Sequence, residues 1–252
     1  MALRRLDVKK LRETEATPVS WLAKGFIAKG AVTLMYGEPG CGKSALALGL
    51  AAGVAEGTHV PGLGLPCVKG NPVLIDAENG ENELQRRIKG MSLNFNVEVF
   101  EATAFSLTVN GLSEIEEELI KIGPTDLIIL DSLRTLWPDG DENSSGPVTA
   151  VMTRIQQLAR NFDTSIMILH HSAKGGGFRG SGAMTAVPEI AIEMGRWKND
   201  KVEDRRFIKW DKCRMASSPK QKWITVQADT SGDINMQMSH APKESELWPR
   251  PY

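Results

Sequence analysis

Residues 37 to 44 read GEPGCGKS, a Gly-x-x-x-x-Gly-Lys-Ser run of the kind that wraps phosphate. Gly37, Gly40 and Gly42 let the backbone curl until successive N–H groups point inward, and a helix beginning directly after the loop adds the positive end of its dipole. Glu38, Pro39, Cys41 and Ala45 complete the stretch that would line a triphosphate. Lys43 would reach the β- and γ-phosphates of ATP, and the Ser44 hydroxyl would hold Mg²⁺. A glycine-rich turn without a ligand is the plain alternative. The context argues against it, because an apolar run, AVTLMY, precedes the loop and a helical run, SALALGLAAGVA, follows it.

A magnesium triphosphate needs a second metal ligand from the protein. LIILD ends in Asp131, at the carboxyl end of an apolar strand, where open α/β sheets bind their ligands. Hydrolysis also needs a group that positions or deprotonates the attacking water. The residue after Asp131 is Ser132, so that group must come from elsewhere. Glu78, in VLIDAEN just past another strand, is the candidate. The alternative is a solvated carboxylate in an acidic stretch with Asp76, Glu81 and Glu83.

The elements that must position these residues alternate between strand and helix. Strand candidates are 31–36, 72–76, 97–100, 126–131 and 165–170, and helical spacing joins Leu112, Ile115, Leu119 and Ile122, then Val148, Val151, Ile155 and Leu158. That rhythm predicts a mostly parallel central sheet with helices on both faces. The third and fourth strands show no alternation, as strands covered on both sides should. After about residue 186 four more strand patterns follow without helices, at 189–194, 205–210, 222–227 and 234–238, which predicts an antiparallel extension of the same sheet. We divide the chain into an N-terminal arm (1–20), one α/β domain (21–240) and a C-terminal tail (241–252).

Composition narrows the function classes. A chain of 252 residues with 41% apolar and 24% charged residues is ordinary for a globular domain and excludes disordered, collagen-like and disulfide-scaffold chains. No apolar run is long enough to span a membrane, and MALRRLDVKKLRETE lacks the apolar stretch of a signal peptide, so a cytoplasmic location is expected. Cys41, Cys67 and Cys213 are odd in number and widely spaced, which suits reduced thiols better than a disulfide framework or a zinc site. Thirty basic against 31 acidic residues give a net charge of −1, so any nucleic-acid surface must be local. Residues 196–222 hold the largest basic excess.

The ordered series GEPGCGKS, LIDAEN, LIILDSLR, NSSGP, LHHSAKG and RGSGAM resembles the RecA-like ATPase core of the hexameric DnaB-type helicases. The resemblance is greatest to the plasmid and phage RepA-type helicases, which are this core with little else. It runs from about Trp21 to the strands near residue 238. It implies a RecA-like P-loop NTPase fold, ATP and Mg²⁺ as cofactors, and a homo-oligomeric ring, hexameric in the family. It also implies translocation on single-stranded DNA in replication, with a replication initiator or a primase as a further partner. By the same resemblance His171 is a sensor of the γ-phosphate, and Lys174, Gly176 and Arg179 belong to a loop that contacts the DNA backbone. Lys212 and Arg214 match a Lys-x-Arg pair that reaches the neighbouring subunit's nucleotide. Two features depart from the family. The length is expected to leave no room for the N-terminal domain by which DnaB proteins recruit primase, and MASSP follows Arg214 where DnaB often has Asn-Gly-Pro. A RecA- or KaiC-like ATPase without unwinding activity shares the same motifs.

Overall fold

The computed structural model describes residues 5–91, 96–102, 105–138, 140–172, 182–228 and 234–247. The strands in chain order are β1 (Trp21–Ala23), β2 (Ile27–Ala28), β3 (Val32–Gly37), β4 (His59–Val60), β5 (Leu65–Pro66), β6 (Pro72–Asp76) and β7 (Glu98–Glu101). They continue with β8 (Leu127–Asp131), β9 (Ser165–His171), β10 (Ile190–Gly195), β11 (Arg205–Cys213), β12 (Lys222–Ala228) and β13 (Ile234–Ser239). The helices are α1 (Val8–Glu13), α2 (Lys43–Glu56), α3 (Glu81–Gly90), α4 (Val109–Ile122), α5 (Leu133–Leu136), α6 (Ser145–Asn161) and α7 (Ala183–Ala186).

Nine strands form one sheet in the order β13-β12-β11-β10-β3-β9-β8-β6-β7. From β10 to β7 every pairing is parallel, and β11, β12 and β13 continue antiparallel from β10. Pleating sends alternate residues to opposite faces. Val32, Leu34, Ile128, Leu130, Ile166 and Ile168 pack with α4 and α6 on one side. Met35, Leu127, Ile129, Met167 and Leu169 pack with α2 and the β1–β2 hairpin on the other. Helix α2 is buried along most of its length, from Lys43 to Val54, which its all-round apolar sequence requires.

Register brings the chemistry to one end. Gly37 is paired with His171 on one side and Met194 on the other, and Asp76 is level with Asp131. The expected RecA-like fold, with its parallel core and antiparallel C-terminal strands, is therefore the fold observed.

Two expectations are corrected. The strand near 97–100 was expected to be covered on both faces; among the described residues β7 instead stands at the edge of the sheet, and Val99 is 37% exposed. A run of four residues is too short for its pattern to separate an edge strand from a central one. The basic excess of 196–222 is also partly internal. Arg205 is buried against Asp200 at 3.3 Å and reaches Glu246 at 3.2 Å, while Lys209 sits between Asp211 at 2.6 Å and Glu193 at 3.7 Å. Through Glu246, the segment past residue 240 is tied to the turn that precedes β11.

Candidate nucleotide site

The phosphate loop is built as its glycines predict. Gly40 and Gly42 have φ of 71° and 101°, in the left-handed region that side chains disfavour. Gly42 is the N-cap of α2, with no side-chain cap hydrogen bond, so the first amides of α2 are not capped by a side chain and face the hollow of the loop. A Cβ on Gly37 would collide with the Met194 carbonyl, so only glycine lets the loop leave β3 this close to β10. Cys41 is buried; its thiol lies 3.4 Å from the Met194 carbonyl, and burial pushes its pKa up. It packs the loop and has no need of reactivity.

Lys43 is only 6% exposed, and its Nζ donates to the carbonyls of Gly37 at 2.9 Å and Glu38 at 3.0 Å. The loop thus holds the amine across its own hollow with two neutral acceptors. A phosphate would offer charged acceptors instead, which bind an ammonium more strongly.

Asp131, 3% exposed, has its carboxyl pushed up to about 6. Burial is the main cause and the charges of Asp76 and Glu78 add to it, while a hydrogen bond from Ser44 and the charge of Arg87 oppose it. Ser44 thus lies close enough to influence the Asp131 carboxyl, and a divalent cation held by this pair would keep the carboxylate ionised. The uncapped helix start, the buried lysine and this oxygen pair fit a magnesium nucleotide.

Glu78 owes its place to Asp76. The Oδ1 of Asp76, a buried residue, accepts from the backbone N–H of Glu78 at 2.9 Å and of Asn79 at 2.8 Å, and its Oδ2 accepts from Asn79 Nδ2 at 2.9 Å. The turn after β6 is fixed in this way, and Glu78 Oε2 stands 3.5 Å from Nε2 of His171. The hydrogen bond with His171 is the largest influence on the Glu78 carboxyl and, with Ser132 and Lys43, holds it below the ordinary carboxylate range against the opposing effect of burial. His170, facing the other way, is buried with its Nε2 4.0 Å from Glu142.

Lys43, Ser44, Glu78, Asp131 and His171 all line one cavity of about 450 Å³, a size suited to a small-molecule ligand. Three arginines that the sequence did not single out also line it: Arg87 from α3, Arg196 after β10 and Arg206 on β11. Arg206 is buried and donates through Nε to the Cys41 carbonyl at 3.1 Å, across 165 positions of sequence. Spacing could not have found it, because only the β10–β11 pairing brings it beside the loop. Val226, Ala228 and Ile234 supply an apolar wall.

Lys212 and Arg214 stand elsewhere. Cys213 pairs with Ile190, at the start of β10 and opposite the end where Met194 meets Gly37. The pair is therefore separated from its own phosphate loop by most of the length of the sheet. Arg214 is exposed. Lys212 Nζ instead donates to the carbonyls of Thr185 at 2.6 Å and Ala186 at 2.7 Å, in α7, and burial together with Arg214 pulls its pKa down to about 8. Lys174, Gly176 and Arg179, expected to contact DNA, lie outside the described residues.

Fold and cavity together define a P-loop nucleotide-binding protein of RecA-like architecture. The profile of the AAA domain family matches residues 1–177, and the chain belongs to that family. Among solved structures it is similar to the "ATPase Domain of G40P", with a TM-score of 0.65 and 15% identity over 92% of this chain and 96% of that one. It is 25% identical to the DNA repair protein RadA of Aquifex aeolicus, over 77% of this chain and 39% of that protein. It is 32% identical to the DNA repair and recombination protein RadB of Methanobrevibacter smithii, over 58% of this chain and 62% of that protein. The chain thus spans about two fifths of the length of RadA. No helix among the described residues is long and apolar enough to cross a membrane.

Proposed function

We propose that the chain is a Mg²⁺-dependent ATP hydrolase that works as a ring of identical subunits on single-stranded DNA, in the manner of the DnaB and RepA-type helicases. The observation that carries this reading is the convergence of Lys43, Ser44, Asp131, Glu78 and His171 on one cavity. Lys43 exchanges its loop carbonyls for phosphate oxygens. Ser44 and Asp131 would hold the metal, which would supply positive charge against that of the triphosphate. Glu78, with its pKa held low, is ionised at neutral pH and orients the attacking water. His171 touches Glu78 and sits at the end of β9, directly before the segment that carries Lys174, Gly176 and Arg179. In this reading it connects the state of the phosphates to contacts with DNA.

Arg214 is too far from its own loop to serve it, which suits a group that completes the site of a neighbouring subunit. Lys212, engaged with α7, supports that strand end. Measuring hydrolysis with and without single-stranded DNA tests the reading: the expected result is stimulation, and a rate indifferent to DNA would argue against it.

The names of the RadA and RadB relatives favour a second reading, a RecA-like ATPase of repair or recombination that binds DNA without unwinding it. Displacement of a strand from a forked duplex separates the two. A helicase releases the strand in an ATP-dependent, directional manner, whereas the second kind of protein binds the fork and leaves it intact.

A further inference from the structure

Helix α7 ends where its own backbone cannot finish it. A further turn would let the carbonyls of Met184, Thr185 and Ala186 accept from the N–H groups of residues 188, 189 and 190. Pro188 has no N–H, Glu189 gives its own to the Val32 carbonyl at 3.0 Å, and Ile190 opens β10. Lys212, on β11, takes the place of the missing donors. Its Nζ donates to the Thr185 carbonyl at 2.6 Å and to the Ala186 carbonyl at 2.7 Å, and a cation is favourably placed at the carbonyl end of a helix.

The strand end that carries Arg214 therefore has two supports. One is Glu189, whose carbonyl accepts from the Arg214 N–H at 2.9 Å. Its carboxylate accepts from the Val32 N–H at 3.0 Å and from Gln156 Nε2 at 2.5 Å, so this support is fixed to β3 and α6. The other is α7, which Met184 plants in the apolar cluster shared with α6. In the sequence α7 begins four residues after Arg179.

We propose that Lys212 is a positioning residue that works inside its own chain, as a strut through which the place of α7 sets the place of Arg214. The resemblance to the DnaB-type helicases implies that Lys212, like Arg214, reaches a neighbour's nucleotide; the geometry gives the two residues different tasks. An ammonium that closes the end of α7 is not at the same time a phosphate ligand. DNA held by the segment before α7 shifts that helix, and Lys212 passes the shift to Arg214 two residues away. The relay rests on the DNA-coupled reading above; the contact between Lys212 and α7 does not.

Two measurements on the full-length chain test it. Hydrogen exchange without nucleotide or DNA compares the natural chain with Lys212→Met, which keeps the reach of the side chain and loses its donors, and with Arg214→Ala. The amides of α7 are expected to exchange at least about tenfold faster in Lys212→Met and at the natural rate in Arg214→Ala, with β3 and β8 protected in all three. Unchanged exchange in α7 overturns the strut. ATP hydrolysis is then measured with and without single-stranded DNA, and the ratio of the two rates is read. In Lys212→Met the ratio is expected to fall at least about threefold, towards one. A ratio that is kept while both rates fall together makes Lys212 a ligand of the neighbour's phosphate and overturns the relay. If β3 and β8 lose protection in Lys212→Met, Lys212→Gln takes its place, with a donor and no charge. It is expected to keep part of the α7 protection and part of the DNA response, whereas a loss of about 10³-fold in both rates overturns the proposal. A natural chain whose rate DNA leaves unchanged overturns the DNA-coupled reading and the relay with it, and exchange in α7 then decides the strut alone.

Discussion

Glu78 can act only from the position that Asp76 gives it. The two carboxylates lie two residues apart and divide the work by burial. Asp76 uses its oxygens on the N–H groups of Glu78 and Asn79, while Glu78 turns its own to the cavity and His171. Glu78→Gln preserves the shape and removes the charge; steady-state kinetics are expected to show turnover lower by about 10²–10⁴ with nucleotide affinity little changed. A comparable loss of affinity would place the residue in binding instead. The burial of Asp131 bears on stability. Its carboxyl is raised from 3.8 to about 6 in the folded chain, so the folded form binds the proton more tightly than the unfolded one. That stabilisation is complete below about pH 4, is lost as pH rises through about 6, and is absent at neutral pH. Asp131→Asn carries no ionisation cost. In the absence of nucleotide it is expected to unfold less readily than the natural protein at pH 7.5, by about 1–3 kcal/mol, with no such advantage at pH 4, while hydrolysis is lost. Thermal unfolding at the two pH values checks the sign.

At the scale of elements, legibility followed sequence distance. The β3–loop–α2 unit was legible because its chemistry is contiguous: the apolar strand, the glycines that take left-handed φ and the apolar helix lie within residues 31–56, and each fixes the next. β6 and β8 were legible because covered parallel strands are continuous apolar runs, and both end in the aspartates of the site. Arg206 was not, because its task is set by strand pairing between segments far apart in the chain. The inward turn of Arg205 was hidden for the same reason: a basic run on an edge strand and a buried ion pair look alike until Asp200 and Glu246 are placed beside it. Arg206→Met makes this long-range support measurable. It removes a charged donor from the Cys41 carbonyl and leaves that buried acceptor without this partner, which is expected to cost about 1.5–3 kcal/mol in unfolding free energy. Because the loop itself loosens, KM for ATP should rise by more than kcat falls. An unchanged KM would show that the loop holds its shape without β11.

On the scale of the whole molecule, the net charge of −1 reflects segregation and internal pairing as much as balance. Part of the positive charge of residues 196–222 is paired within the chain, the buried Arg205 with Asp200 and Glu246 and the exposed Lys209 with Asp211 and Glu193. Of the rest, Arg196 and Arg206 line the chain's own cavity, whereas Arg214 is exposed at the far end of β11 from the phosphate loop. If Arg214 completes the site of a neighbour, the active unit is an interface, and two chains with different defects can repair each other. Arg214→Ala leaves the phosphate loop intact, and Lys43→Ala leaves the arginine intact. Each alone is expected to lose about 10³-fold or more of the natural rate, the scale of an arginine finger. Mixed in equal amounts and allowed to exchange, about a quarter of head-to-tail contacts would pair an intact loop with an intact arginine, and hydrolysis should return towards that fraction of the natural rate. A mixture as inactive as its parts would place Arg214 outside the catalytic unit. Recovery that persists with a trace of the natural chain but vanishes on dilution below the assembly concentration would identify the interface as the place where the nucleotide is turned over.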